Sequence, residues 1–220
     1  MDKRTFKDKV YGHLAQLIKA MANPRRLEIL ELLAQGSYSV EEIARQTEMS
    51  VANTSQHLQV LKRGQLVETR REGVAIFYRL SGENVYRVWK ALRDMGIEKI
   101  AEIERILQDF RKSRNAGEAL TASEFRDKMN REEVVLIDVR PEQEYEEGHI
   151  SSALSIPIDQ LEDRLQELPE DRRIVVYCRG PFCVFADDAV QLLKSRGFSV
   201  QRLEEGYRDW ALEEKSGNGR

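Results

Sequence analysis

The sequence predicts two domains of different class: a mainly helical domain, followed by an α/β domain built on a parallel sheet. Three observations carry this expectation. Residues 6–63 place apolar side chains at helical spacing between capping signals, and one alternating hairpin pattern follows at 66–80. Beyond residue 118, short β-prone runs alternate with helical patterns. Between the halves, residues 113–117 (S-R-N-A-G) form a short polar linker, so the expected domains are 1–112 and 118–220.

The first half begins with an amphipathic helix over residues 6–21, with Phe6, Val10, Leu14, Leu17 and Ile18 on one side. Asn23-Pro24 caps the next, since proline suits the first helical turn. Leu27, Ile29, Leu30, Leu32 and Leu33 supply its apolar residues, and Gly36 follows. Ser39 with Glu42 reads as a capping box for residues 40–47. Ser50 caps residues 51–63, and Gly64 ends them. Two short helices across a tight turn make a helix-turn-helix. Residues 66–71 and 74–80 alternate around Glu72-Gly73, which reads as a hairpin and gives a winged helix-turn-helix. Residues 84–112 form one long helical pattern, with a bend expected at Gly96.

In the second half, residues 120–129 read as a helix capped by Thr121 and Glu124. Residues 134–139 form a nearly continuous apolar run, as a parallel strand covered on both faces requires. Further strands are expected at 153–156, 174–177 and 199–203, with helices at 159–168 and 184–196.

Of 220 residues, 41% are hydrophobic and 33% charged, enough to bury two small cores without favouring disorder. No apolar run is long enough to span a bilayer, and the charged N-terminus lacks a signal peptide's apolar segment. A cytoplasmic location, without membrane contact, is the expectation. The net charge of −3 hides an asymmetry. Residues 1–112 carry 20 Lys and Arg against 15 Asp and Glu, whereas residues 113–220 carry 15 against 23. Only the first half is therefore suited to a polyanion. In a reducing compartment, the two cysteines are expected to be chemical rather than structural.

Those cysteines lie in I-V-V-Y-C-R-G-P-F-C-V-F, residues 174–185. A β-prone run ends at Cys178, a Gly180-Pro181 turn follows, and a helical pattern starts after Cys183. A loop between a strand and a helix N-terminus gathers backbone N–H groups and partial positive charge, which lowers a thiol's pKa. The stretch resembles the active-site loop of the rhodanese family, sulfurtransferases that carry sulfur as a cysteine persulfide. Asp138-Val139-Arg140, Glu144-Tyr145 and Gly148-His149-Ile150 are similar to one flanking signature of that family, and Gly206-Tyr207 with Trp210 to another.

The resemblance implies Cys178 as nucleophile, Arg179 as a cation beside the sulfur, and Gly180, Pro181, Phe182 and Val184 as the substrate cradle. Asp138, Arg140 and His149 are expected to support the site structurally. Cys183 stands where family members that use thiosulfate often carry Arg or Thr, and Pro181 removes one N–H from the cradle. Both departures weaken thiosulfate as donor. Cys183 either resolves a persulfide on Cys178 or merely fills the loop. An oxyanion-binding C-x5-R loop is excluded, because Val184 stands six residues after Cys178.

The first half resembles the ArsR family of small dimeric transcription repressors. The resemblance rests on N-P-R-R-L-E-I-L at 23–30, S-Q-H-L-Q-V-L-K at 55–62, and E-T-R-R-E-G at 68–73 followed by Tyr78-Arg79-Leu80. Residues 51–63 then form the recognition helix. Asn53 and Gln56 suit base edges, and Ser50, Thr54, Ser55 and His57 are suited to close approach to the duplex. Arg70 and Arg71 at the hairpin tip suit phosphates or the minor groove. No metal is expected: this half has no cysteine, and its histidines are His13 and His57. No cofactor is expected either.

Together these readings give a homodimeric regulator, expected to repress, that binds a palindromic operator in double-stranded DNA. Its second domain would sense or transfer sulfane sulfur from thiosulfate, polysulfide or a low-molecular-weight persulfide. Two alternatives stay open: a working sulfurtransferase whose DNA domain only autoregulates, and a rhodanese-like interaction module without turnover.

Overall fold

A computed structural model describes residues 1–130, 134–169 and 171–217. It divides into two units, residues 1–96 and 97–220. The division falls at Gly96, whereas the polar linker expected as the boundary lies inside the second unit.

In the first unit, α1 (Lys3–Met21) is capped by Asp2, and α2 (Pro24–Leu33) by the Asn23 side chain with Pro24 in its first turn. Strand β1 (Tyr38–Ser39) leads into α3 (Val40–Gln46) through the expected capping box. Glu42 N donates to Ser39 Oγ at 3.3 Å, and Ser39 N donates to Glu42 Oε2 at 2.7 Å. Helix α4 (Val51–Arg63) follows, with Ser50 as N-cap and Gly64 as C-cap. Strands β2 (Val67–Glu72) and β3 (Ala75–Leu80) pair antiparallel, from Val67 opposite Leu80 to Glu72 opposite Ala75. The strand order is β1-β3-β2. Helix α5 (Glu83–Lys99) packs Tyr86 and Trp89 into a core with Ile29, Leu30, Ile43, Leu58 and Leu61. The Trp89 indole satisfies its N–H on Leu27 O at 3.1 Å.

The long helical pattern after residue 84 is two helices. Helix α5 runs through Gly96 without stopping, and α6 (Ala101–Ser113) begins after Ile100, whose backbone is extended. The expected bend is thus a one-residue break, four positions later than the glycine.

In the second unit, α7 (Ala122–Asn130) starts at Thr121, whose N–H and hydroxyl both reach Glu124. Strand β4 (Val134–Asp138) is followed by α8 (Glu142–Glu147) and β5 (Leu154–Ser155). Strand β6 (Arg173–Tyr177), α9 (Phe185–Ser195), β7 (Val200–Arg202) and α10 (Tyr207–Gly217) complete the unit. The four strands are parallel in the order β5-β4-β6-β7. Their alternation sorts the core onto two faces. Ile137, Ile174 and Val176 pack with Ala186, Ala189, Val190 and Leu193 of α9. Leu136, Val175 and Tyr177 pack with Phe125, Ile150 and Trp210.

Residues 159–168 do not form the expected α-helix. The segment makes successive i to i+3 bonds, including Gln160 N to Pro157 O at 2.9 Å and Glu167 N to Arg164 O at 3.1 Å. It ends in a 3-10 turn at Leu165–Glu167. Leu161 and Leu168 are buried and Leu165 packs beside them, so these turns anchor the same leucines a helix would have used.

Candidate functional site

Cys178 leaves the C-terminal end of β6, the most buried strand of the sheet, and the loop to α9 closes within six residues. The structure joins Cys178 and Cys183 in a disulfide, with their Cα atoms 6.3 Å apart. Cys178 is 2% exposed and Cys183 half-buried. Gly180 carries the turn at φ +148°, a conformation open mainly to glycine. Its carbonyl accepts from Cys183 N at 3.2 Å and from Arg202 Nη2 at 3.3 Å. Pro181 is buried, while Phe182 and Val184 are exposed. Gly206 backs the loop. A Cβ placed there would lie 2.6 Å from Gly180 N and closer still to the Arg179 carbonyl.

Three ion pairs hold this region. Arg179 donates through Nε to both oxygens of Glu144, at 3.1 and 3.0 Å, and stacks over Phe185 at 5.3 Å. Glu144 is 1% exposed, so the cation expected beside the sulfur neutralises a buried carboxylate. Arg202 meets Asp187 at 2.6 Å, both buried. Arg140 grips Asp138 through Nε and Nη2, both residues fully buried, and also donates to Gly148 O at 2.8 Å. Beneath them, burial raises the Tyr177 pKa, so its hydroxyl stays protonated and accepts from Ile150 N at 3.1 Å. His149 is exposed, stacks on Tyr145 at 3.7 Å and places Nδ1 3.0 Å from Tyr145 O. Asp138 and Arg140 therefore tie the end of β4 to Gly148, while His149 packs locally, against Tyr145 four residues before it.

In the first unit, α4 exposes Asn53 and Gln56, with Ser55 and His57 half-buried beside them. Burial and then the charges of Arg26 and Arg25 hold the His57 pKa below its usual value, which favours the neutral imidazole. Thr54 departs from expectation. It is fully buried and donates to Ser50 O at 3.0 Å, because residues 54, 58 and 61 share the core-facing stripe of α4. Arg70 and Arg71 are exposed at the hairpin end; Arg70 pairs with Glu72 at 3.2 Å, and Arg71 donates to Gly73 O at 3.0 Å. Lys62 Nζ braces the hairpin on Thr69 Oγ1 at 3.0 Å.

Residues 121–213 match the rhodanese-like domain family, and residues 23–69 match the bacterial regulatory proteins of the arsR family. The HTH-type transcriptional regulator Rv0324 of Mycobacterium tuberculosis is 45% identical over 199 residues, which cover 90% of this chain and 87% of that protein. This chain belongs to the ArsR-type transcriptional regulators that carry a C-terminal rhodanese-like domain.

Other relatives match one half of the regulator. The tRNA uridine(34) hydroxylase of Salmonella newport is 33% identical over 104 residues, covering 44% of this chain but only 29% of that enzyme. A solution structure of a homodimeric winged helix-turn-helix DNA-binding domain from Mycobacterium bovis is 43% identical. It covers 46% of this chain and 91% of that fragment, with a TM-score of 0.43.

Sequence reasoning placed the regulator's cysteine loop but missed Asp187 and Arg202 as its supports. A signal was available: Asp187 interrupts the apolar stripe of α9 beside Ala186 and Val190, and such a carboxylate needs a buried partner. Among the described residues, no group of three or more His, Cys, Asp or Glu side chains could hold a metal ion.

The exposed pair on α4 gives a direct expectation for DNA. Asn53→Ala and Gln56→Ala should each weaken operator binding by about 1–3 kcal/mol and relax base preference at one position. Arg70→Ala and Arg71→Ala should weaken all duplexes alike and flatten the salt dependence. Anisotropy titrations at several salt concentrations separate the two effects.

Proposed function

We propose that the regulator is a dimeric cytoplasmic repressor whose grip on a palindromic operator is set by the sulfur state of Cys178. The observation that carries this reading is the Cys178–Cys183 bond, placed at the strand end of a rhodanese-like loop and fused to a DNA-reading unit that has no cysteine of its own. The exposed apolar side chains of α1 (Phe6, Val10, Leu14, Ile18) support pairing of two copies, as in the homodimeric relative. Two recognition helices would then lie about one duplex turn apart.

The chemistry balances with two thiols and one persulfide. The Cys178 thiolate attacks the outer sulfur of R–S–S–H, forming Cys178–S–S–H and releasing R–S⁻. The Cys183 thiolate then attacks the Cys178 sulfur, forming the disulfide and releasing HS⁻. The donor's sulfane sulfur is reduced to sulfide, and the two thiols are oxidised. The bond between Arg179 and Glu144 counts against thiosulfate, because that dianion would want a cation Glu144 already neutralises. A persulfide or polysulfide makes no such demand.

The test is operator affinity at fixed salt, on a duplex selected from a random library, before and after polysulfide treatment. Treatment should weaken binding by about tenfold in the native chain, within the usual range of coupling between sites. Cys178→Ser and Cys183→Ser should abolish the response while leaving untreated affinity intact. Superimposed curves for the native chain would refute the reading. Intact mass on the same sample should show the loss of two hydrogens, marking the disulfide.

A further inference from the structure

We propose that Val74 and Ile76, at the tip of the β2–β3 hairpin, determine part of this regulator's DNA sequence preference, as an apolar wedge pressed into the minor groove beside the major groove that α4 reads. The proposal rests on the first unit meeting an operator duplex and owes nothing to the sulfur chemistry.

Pairing of Glu72 with Ala75 leaves a two-residue loop, Gly73-Val74. Gly73 takes φ +62° and Val74 does not share the left-handed region, the pattern of a hairpin turn led by glycine. The second position of such a turn favours Asn, Asp or Ser, whose side chains suit water. Valine fills it here at 96% exposure, and Ile76 on β3 is 50% exposed. An apolar side chain held bare at a turn breaks a local rule with no gain in packing, as happens where function overrides the fold.

The two faces of the hairpin differ. On one, Arg79 pairs with Glu68 at 2.6 Å and Arg70 with Glu72 at 3.2 Å, so its charges cancel. On the other, the register sets Arg71 opposite Ile76 and Thr69 opposite Tyr78. Lys62 of α4 reaches Thr69 on this face, which makes it continuous with the recognition helix. Arg71 Nε donates to Gly73 O, and neither Arg71 nor Lys62 has a carboxylate partner among the described residues. The face beside α4 thus joins two uncompensated cations to an exposed isoleucine, with valine at its end. Cations suit the phosphates that border a minor groove, and apolar side chains suit the base steps inside it. A partner protein could bury the apolar tip, but it would not call for the flanking cations or for continuity with α4.

A wedge must open a base step, and pyrimidine–purine steps open at least cost. The hairpin therefore selects a TA or CA/TG step beside the bases that face α4.

The test uses the full chain, reduced and without polysulfide. Duplexes selected from a random library should carry such a step on the flank of each half-site. Replacing it with AA, a stiff step, should weaken binding by the native chain about fivefold or more, the scale of one mismatched base pair. Val74→Ser with Ile76→Thr suits the turn and the strand, so unfolding temperature should hold. This double variant should bind both duplexes equally while keeping the native salt dependence, since no charge is lost. Energy transfer between dyes at the duplex ends should report a bend with the native chain that the variant lacks. Equal affinity of the native chain for the two duplexes, a variant that keeps the step preference, or an unbent native complex would each overturn the wedge and leave the operator reading standing. A library that yields no selected duplex would overturn both.

Discussion

Asp138→Ala will destabilise the second unit by about 3–5 kcal/mol, because it removes the buried carboxylate that neutralises Arg140 in the interior. Neither side chain has solvent access, and Asp138 accepts from Arg140 Nε, Nη2 and backbone N. Gly148 O and the rings of Tyr177 and Tyr207, which the guanidinium also meets, offer no formal charge. Thermal unfolding of this unit should fall by roughly 10–20 °C. The double variant Asp138→Leu with Arg140→Met should recover most of the loss, since removing both charges avoids the orphan that removing one creates. If the single and double variants unfold together, the pair is not the source of the effect.

Gly206→Ala is the second large effect, and it acts on the cysteine loop itself. The added methyl would fall on Arg179 and Gly180 main-chain atoms, which cannot rotate away as a side chain could. Backbone must move, at a cost of about 1–3 kcal/mol for an overpacked site. The displaced stretch is the one that sets the spacing of Cys178 and Cys183. Gly206→Ala should therefore slow closure of the disulfide after polysulfide treatment far more than it lowers unfolding temperature. Rapid quenching with a thiol-alkylating reagent, followed by mass analysis, measures that rate. A variant that closes at the native rate would show that Gly206 does not hold the loop.

Local chemistry made much of the fold legible. The caps at Asn23-Pro24, Ser39, Ser50 and Thr121 each rest on partners within three residues, and all four appear in the structure. The central strands β4 and β6 announced themselves as nearly continuous apolar runs, because both faces are covered. What escaped depends on residues far apart in the chain. Arg179 looked like a free cation because Glu144, its partner, lies 35 positions away. The Asp187–Arg202 pair was invisible for the same reason. Thr54 has a side chain suited to DNA, yet its place on the stripe with Leu58 and Leu61 buries it. Helices α8 and α10 were not anticipated. The first is one acidic turn and a half, too short for periodicity to speak.

Limits drawn from similarity and limits drawn from packing differ in this chain, and recombinant fragments should follow the second. A fragment starting at residue 118 would be stripped of α6, uncovering Pro181 and widening the apolar surface that Phe182 and Val184 already expose. It is expected to self-associate, whereas one starting at residue 97 keeps its cover and stays monodisperse.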